Sequence, residues 1–259
     1  MAPPRLRVIV TRPLAQARPW VDALRAKGID AVALPLIEIA ALDDVQPLCT
    51  AWQQLPHKAL VMFVSANAVL HFFAAKPVGG IWPAGLAAGS TGPGTSAALL
   101  DAGVPQLEIV QPAIAAPLDS ESLWAELRGR DWRGRQALIV RGEGGRDWLA
   151  DKLRGAGAEV DFLAAYRRSA PRPDAAAQAI VAVARMQPQA HCWLFSSAEA
   201  VGYLSGLAPG ADWAAANAIA SHPRIADAAR TAGFARVQVV DARFETLLAA
   251  LASLESTPS

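Results

Sequence analysis

The chain alternates short apolar runs with longer stretches of helical period, and small polar residues stand where one gives way to the other. Leu6–Val10 is a β-branched apolar run and reads as a strand. Pro13 follows it and suits the opening of a helix. Trp20, Ala23 and Leu24 then recur at helical spacing across Ala15–Lys27, and Gly28 suits the stop. Ala31–Ile39 is a second apolar run, broken by Pro35. A crossover of this length joins parallel strands.

The same order returns about 130 residues later. Ala137–Arg141 predicts a strand, Trp148–Arg154 a helix punctuated by Gly155 and Gly157, and Val160–Ala165 the next strand. Two further stretches repeat at nearly that offset. Val61–Phe73 resembles Cys192–Leu204, with Ser65 matching Ser197 and Ala68–Val69 matching Ala200–Val201. Leu86–Val104 resembles Ala218–Val237, with Pro93 matching Pro223 and Gly103 matching Gly233. Repeats in one order predict an α/β protein of two similar lobes, each a parallel sheet flanked by helices. Two such lobes leave a cleft between them, where small-ligand sites concentrate.

Composition narrows the class. Of 259 residues, 53% are hydrophobic and 18% charged, enough apolar material for a sizeable core. Ala makes up about a fifth of the chain and Tyr only two residues, which favours helix-rich α/β over an all-β sandwich. The net charge of +1 argues against a nucleic-acid partner. No apolar run reaches the roughly 20 residues that span a bilayer, so no membrane partner is expected. The start of the chain lacks the features of a signal peptide. Cys49 and Cys192 are too far apart for a disulfide framework or zinc spacing, and read as reduced core thiols of a cytoplasmic protein.

Candidate chemistry gathers at the predicted strand ends, where ligands sit in open parallel sheets. Thr11–Arg12, Ser65–Ala66–Asn67, the turn ending at Thr95, the stretch from Arg141 and Gly142 to Arg146, Ser196–Ser197 and the turn of His222 and Arg224 all precede or open helices. Such helix N-termini present free backbone N–H groups to anions. Ser65 and Ser197 are helix caps first. Neither lies in a Gly-x-Ser-x-Gly elbow, which argues against a serine hydrolase. Gly142–Gly145 matches neither a phosphate-binding loop nor GxGxxG. His57, His71, His191 and His222 show no metal-ligand spacing. Arg12, Arg141, Arg146 and Arg224 suit a ligand with several carboxylates, because guanidinium grips carboxylate in a two-point fork. Tyr166 stands at the end of a strand just before Arg167, Arg168 and Pro171; it is either an interdomain packing residue or a ligand contact.

With those residues in view, the chain resembles the uroporphyrinogen-III synthases. VIVTRPLAQARPWVDALRAKGIDAVALPLIEI resembles their N-terminal segment. FVSANAV, GPGTSAALLDAGV, DSESLWAEL, LIVRGEGGRDWLADKLRGAGAEV followed by AAYRR, and FSSAEAV follow in the family's order. The resemblance implies two α/β lobes joined by two extended linkers: lobe one about 1–36 plus 170–259, lobe two about 37–168, linkers about 35–39 and 163–171. It implies closure of hydroxymethylbilane, a linear tetrapyrrole with eight carboxylates, to uroporphyrinogen III with inversion of the last ring, a step of haem biosynthesis. It implies no cofactor and no metal, and a monomer is expected. Tyr166 matches the family's tyrosine and is the catalytic candidate; Thr95 matches the threonine of its Gly-Pro-x-Thr turn. In the second such turn, His222-Pro223-Arg224-Ile225, Ile225 replaces the threonine, and that contact does not carry over. Two rivals stand beside this reading. One is a two-lobed ligand-binding module for a polyanionic small molecule; the other, weaker, is a nucleotide-sugar transferase.

Overall fold

The computed structural model describes residues 6–241 and 243–255. The chain divides into two compact units, one built from the residues up to Glu38 and from Ser169 onward, the other from Ile39–Arg168. Among the described residues no helix is long and apolar enough to cross a membrane.

In chain order the elements are β1 (Arg7–Val10), α1 (Leu14–Ala26), β2 (Ala31–Ala33), β3 (Glu38–Ala41), α2 (Gln46–Gln54), β4 (Lys58–Phe63), α3 (Ala66–Ala74) and β5 (Ala87–Ser90). Then come α4 (Pro93–Asp101), β6 (Ile109–Val110), α5 (Ser120–Leu127), β7 (Gln136–Gly142), α6 (Trp148–Gly155) and β8 (Glu159–Ser169). The last are α7 (Ala175–Met186), β9 (His191–Phe195), α8 (Ala198–Leu207), β10 (Asn217–Ala220), α9 (Pro223–Thr231), β11 (Arg236–Val239) and α10 (Phe244–Glu255).

The first unit holds a sheet in the order β11-β10-β9-β1-β2, with every pair parallel. Its central strand β9 alternates faces. Cys192 and Leu194 pack with Val8, Val10, Val21, Leu24 and Leu247. Trp193 and Phe195 point the other way, stack on each other and meet Trp213 and Phe234 edge to face. Burial on both faces is what a parallel sheet requires, and it explains the near-continuous apolar strands. Cys192 is fully buried, and burial pushes its thiol up to about 12, so it behaves as a small inert apolar group. Gly28 takes φ +79 just after α1, a left-handed turn that glycine enters without penalty.

The second unit holds a sheet in the order β3-β8-β7-β4-β5-β6, parallel from β8 to β6. Val61, Phe63, Leu138 and Val140 face α2, α3 and α4; Leu60, Met62, Ala137 and Ile139 face α5 and α6. Removing a ring such as Phe63 from so closed a core would cost about 3–5 kcal/mol.

Five strands of the second sheet, β6-β5-β4-β7-β8, stand in the same order as β11-β10-β9-β1-β2 of the first. The pairs that repeat in the sequence are therefore pairs of equivalent strands. Two expectations need correction. The apolar run Ala31–Ile39 is not one strand: Leu34, Leu36 and Ile37 are buried between β2 and β3, which belong to different sheets. The strand expected to end at Ala165 runs on to Ser169, so most of the segment 163–171 pairs within a sheet. Continuation past Ala165 is possible because Gly142 and Tyr166 still pair after a slip in register.

Candidate functional site

In the second unit, β4 ends at Phe63 and α3 begins at Ala66, so Ser65 is left as the cap with an extended backbone. Its Oγ accepts a hydrogen bond from Ala68 N–H at 3.2 Å. It also lies 3.0 Å from the hydroxyl of Tyr166, 101 positions along the chain. Ala66 and Asn67, half-buried, form the first turn whose N–H groups have no partner within the helix.

Tyr166 reaches this place through an irregularity in β8. Val140 pairs with Leu163, Arg141 with Ala164, and then Gly142 with Tyr166, so Ala165 is the extra residue. Period two alone would send Ala165 and Tyr166 to opposite faces. The slip puts both in the core that faces α3, as a bulge re-aims a side chain. Tyr166 is 3% exposed. His71 of α3 stacks on its ring at 5.7 Å, and burial lowers the His71 pKa from its ordinary 6.5. Gly142 is buried beneath the same ring; a Cβ there would meet Tyr166 Cε2 at 2.9 Å.

The other sequence candidates of this unit have different surroundings. Arg141, next to Gly142 on β7, points to the opposite face. There it lies 3.8 Å from the Phe162 ring centre and donates to Asp147 Oδ1 at 2.6 Å. Arg146 donates to Glu121 Oε1 of α5 at 2.6 Å. Both guanidinium groups already hold carboxylates, and neither is brought to Ser65 and Tyr166. Thr95 is buried in the first turn of α4, behind Gly92 as cap. Ser96, which the sequence reading passed over, donates to Ser90 Oγ at 3.0 Å and shapes that turn.

In the first unit, Thr11 spends its hydroxyl on the Leu194 carbonyl at 2.7 Å and is buried. Its role there is to tie β1 to β9. Arg12 lies 4.2 Å from the Trp20 ring centre. Its Nε is buried with no hydrogen-bond partner among the described residues. Burial draws its pKa down to about 10, which leaves it cationic at neutral pH. Ser197 caps α8 by accepting from Glu199 N–H at 3.2 Å, and Ser196 beside it is half-buried. Tyr203 donates to Glu199 Oε1 and so belongs to that helix. His222 caps α9 by accepting Arg224 N–H at its Nδ1, 3.2 Å away, while the Arg224 side chain is exposed. Ile225 is 9% exposed, a core position like that of Thr95.

Residues 18–249 match the family model described as Uroporphyrinogen-III synthase HemD. The chain belongs to the uroporphyrinogen-III synthase family. It is 32% identical over 179 residues to the uroporphyrinogen-III synthase of Salmonella typhimurium, covering 68% of this chain and 70% of that one. To the Escherichia coli enzyme of the same name it is 30% identical over 184 residues, again 68% and 70% of the two chains. Among solved structures, a uroporphyrinogen III synthase variant from Thermus thermophilus has the same fold. Its TM-score is 0.62 at 20% identity, over 96% of this chain and 98% of that one. A uroporphyrinogen-III synthetase from Helicobacter pylori gives a TM-score of 0.59 at 14% identity, covering 96% and 99%. In this uroporphyrinogen-III synthase family member, no cluster of three or more His, Cys, Asp or Glu side chains is placed to hold a metal ion among the described residues.

Proposed function

We propose that this chain closes hydroxymethylbilane to uroporphyrinogen III with inversion of the last ring, without a metal or organic cofactor, and that Tyr166 supplies the acid function. The observation that carries the reading is the pairing of a buried phenol with the hydroxyl of a helix cap, Tyr166 with Ser65, in a chain of this family. The reaction needs a proton donor as the hydroxyl leaves the first ring. A tyrosine hydroxyl carries a proton that it can give to a leaving oxygen.

Eight substrate carboxylates call for many donors. The N–H groups of Ala66 and Asn67 at the start of α3, the turns at Thr95 and Ser196–Ser197, and the exposed Arg224 beside His222 suit that task. Arg12 suits it best among the arginines, because its buried Nε has no hydrogen-bond partner among the described residues. Uncatalysed closure gives the uninverted ring, so holding the two ends in the geometry that forms the spiro intermediate does most of the catalytic work.

The test is incubation of the purified chain with hydroxymethylbilane, with and without chelator, followed by separation of isomers. The type III product should dominate under both conditions. A mixture equal to the spontaneous type I product would refute the activity, and loss of activity with chelator alone would refute its independence of metal.

A further inference from the structure

The hydrogens of the Ser65–Tyr166 pair have one consistent assignment. A serine hydroxyl carries one donor and two acceptor lone pairs. One lone pair of Ser65 takes Ala68 N–H. Tyr166 is buried, and Ser65 is its one hydrogen-bond partner among the described residues. A buried phenol proton without an acceptor is costly, so Tyr166 donates and Ser65 accepts. Both lone pairs of Ser65 are then filled. Its single proton points away from Tyr166 and from the helix, and Ser65 is the more exposed of the two residues.

We propose that Ser65, and not Tyr166, is the hydroxyl that meets the departing oxygen of hydroxymethylbilane, with Tyr166 feeding it a proton from behind. The proposal rests on the cyclisation assigned above. As the C–O bond of the hydroxymethyl group breaks, its electron pair leaves with the oxygen. The Ser65 proton goes to that oxygen and completes a water molecule, while the Tyr166 proton moves to Ser65 Oγ. The pyrrole nitrogen supplies the electrons that form the exocyclic C=C bond of the azafulvene. The N–H proton it then loses restores the phenol. Ser197, the equivalent cap in the other unit, takes Glu199 N–H, and Tyr203 donates to the Glu199 carboxylate. The relay is thus a property of one unit.

The experiment compares kcat, KM, isomer ratio and Tm for Ser65→Ala, Ser65→Asp, Ser65→Thr, Tyr166→Phe and the double variant Ser65→Ala/Tyr166→Phe. Ser65→Ala should lower kcat about 10²-fold, at least as far as Tyr166→Phe, with KM within about twofold. Ser65→Asp keeps an acceptor for Ala68 N–H, so Tm should hold, yet it has no proton to give at neutral pH and should be as slow as the alanine variant. Ser65→Thr should recover most of the rate, and the double variant should be no slower than Ser65→Ala. A Ser65→Asp protein with near-normal kcat beside a slow Tyr166→Phe would overturn the relay while leaving Tyr166 as the acid. A slow Ser65→Asp beside a fully active Tyr166→Phe would overturn the feed from Tyr166. A wild-type chain that makes only the type I product would instead refute the activity on which both rest.

Discussion

Gly142 and Tyr166 face each other across β7 and β8 where the register of that pair slips, and the ring lies where a side chain at 142 would be. The neighbour is a packed aromatic ring, held by His71 and Ser65, and it cannot swing aside. Gly142→Ala should therefore lose about 1–3 kcal/mol of stability and slow turnover by displacing the phenol. In a Tyr166→Ala background the same substitution should cost much less, because the clash is gone. Equal costs in both backgrounds, measured by denaturant unfolding, would mean that Gly142 is needed for its backbone instead.

Arg12 combines a Trp20 ring beside its guanidinium with a buried Nε that has no hydrogen-bond partner among the described residues. Its folded pKa of about 10 lies below the ordinary 12.5. The unfolded chain thus binds the proton more tightly, and the charge opposes folding at every pH below about 10. Arg12→Met keeps the apolar stem over Trp20 and removes the charge. Tm should rise, with a gain on the order of 1–3 kcal/mol, while KM for hydroxymethylbilane rises about tenfold or more. An unchanged KM would remove Arg12 from substrate binding.

His71 gives the stability curve a definite sign. Its folded pKa is lowered by burial against the Tyr166 ring. Between that value and 6.5 the unfolded chain binds more protons, so stability falls as pH drops through this window. His71→Phe keeps an aromatic ring over Tyr166 and cannot titrate. Its Tm should depend less on pH just below 6.5 than that of the wild type. Parallel Tm–pH profiles would show that His71 does not set the slope.

Arg141 and Arg146 separate two kinds of ion pair. Arg146 and Glu121 are both well exposed, and Arg146→Ala should change stability by less than about 1 kcal/mol. Arg141 is 17% exposed and packs on Phe162. Arg141→Ala should cost more, about 1–2 kcal/mol, through lost packing as well as lost charge. Since each already holds an acidic partner on the face away from Tyr166 or on α5, neither substitution should raise KM more than about threefold. A tenfold rise for either would show that the guanidinium leaves its partner for the substrate.

The two sheets were legible because equivalent strands share apolar runs and turn residues, as VIVTRP and LIVRGE do in β1 and β7. The elements that escaped include two marginal strands, β3, with three of its four residues exposed, and the two-residue β6, and also the helices α2, α5, α7 and α10, which lie outside the stretches that repeat most plainly. In the candidate site, Ser65 was legible as a cap because capping is local. Its bond to Tyr166 was not, since it joins positions 101 apart and depends on a slip at Ala165 that no periodicity announces. The same holds for Arg141 and Arg146. Position at a strand end is visible in a sequence, but a partner on another helix and the face of the strand are not.

The bond from the Thr11 hydroxyl to the Leu194 carbonyl, between residues 183 positions apart, sets an order of assembly during synthesis. β1 lies inside its sheet, with β9 on one side and β2 on the other. Whereas β2 follows within a few tens of residues, β9 is made only after the whole of Ile39–Arg168 has been translated. At ribosomal rates of about 5–20 residues per second, the interval is about 10–40 s. For that time Val8, Ile9 and Val10 have no permanent shelter on the β9 side, and before it ends the intervening unit possesses every strand from β4 to β8. The nascent chain therefore completes its middle first, and its earliest strand is among the last to find its place.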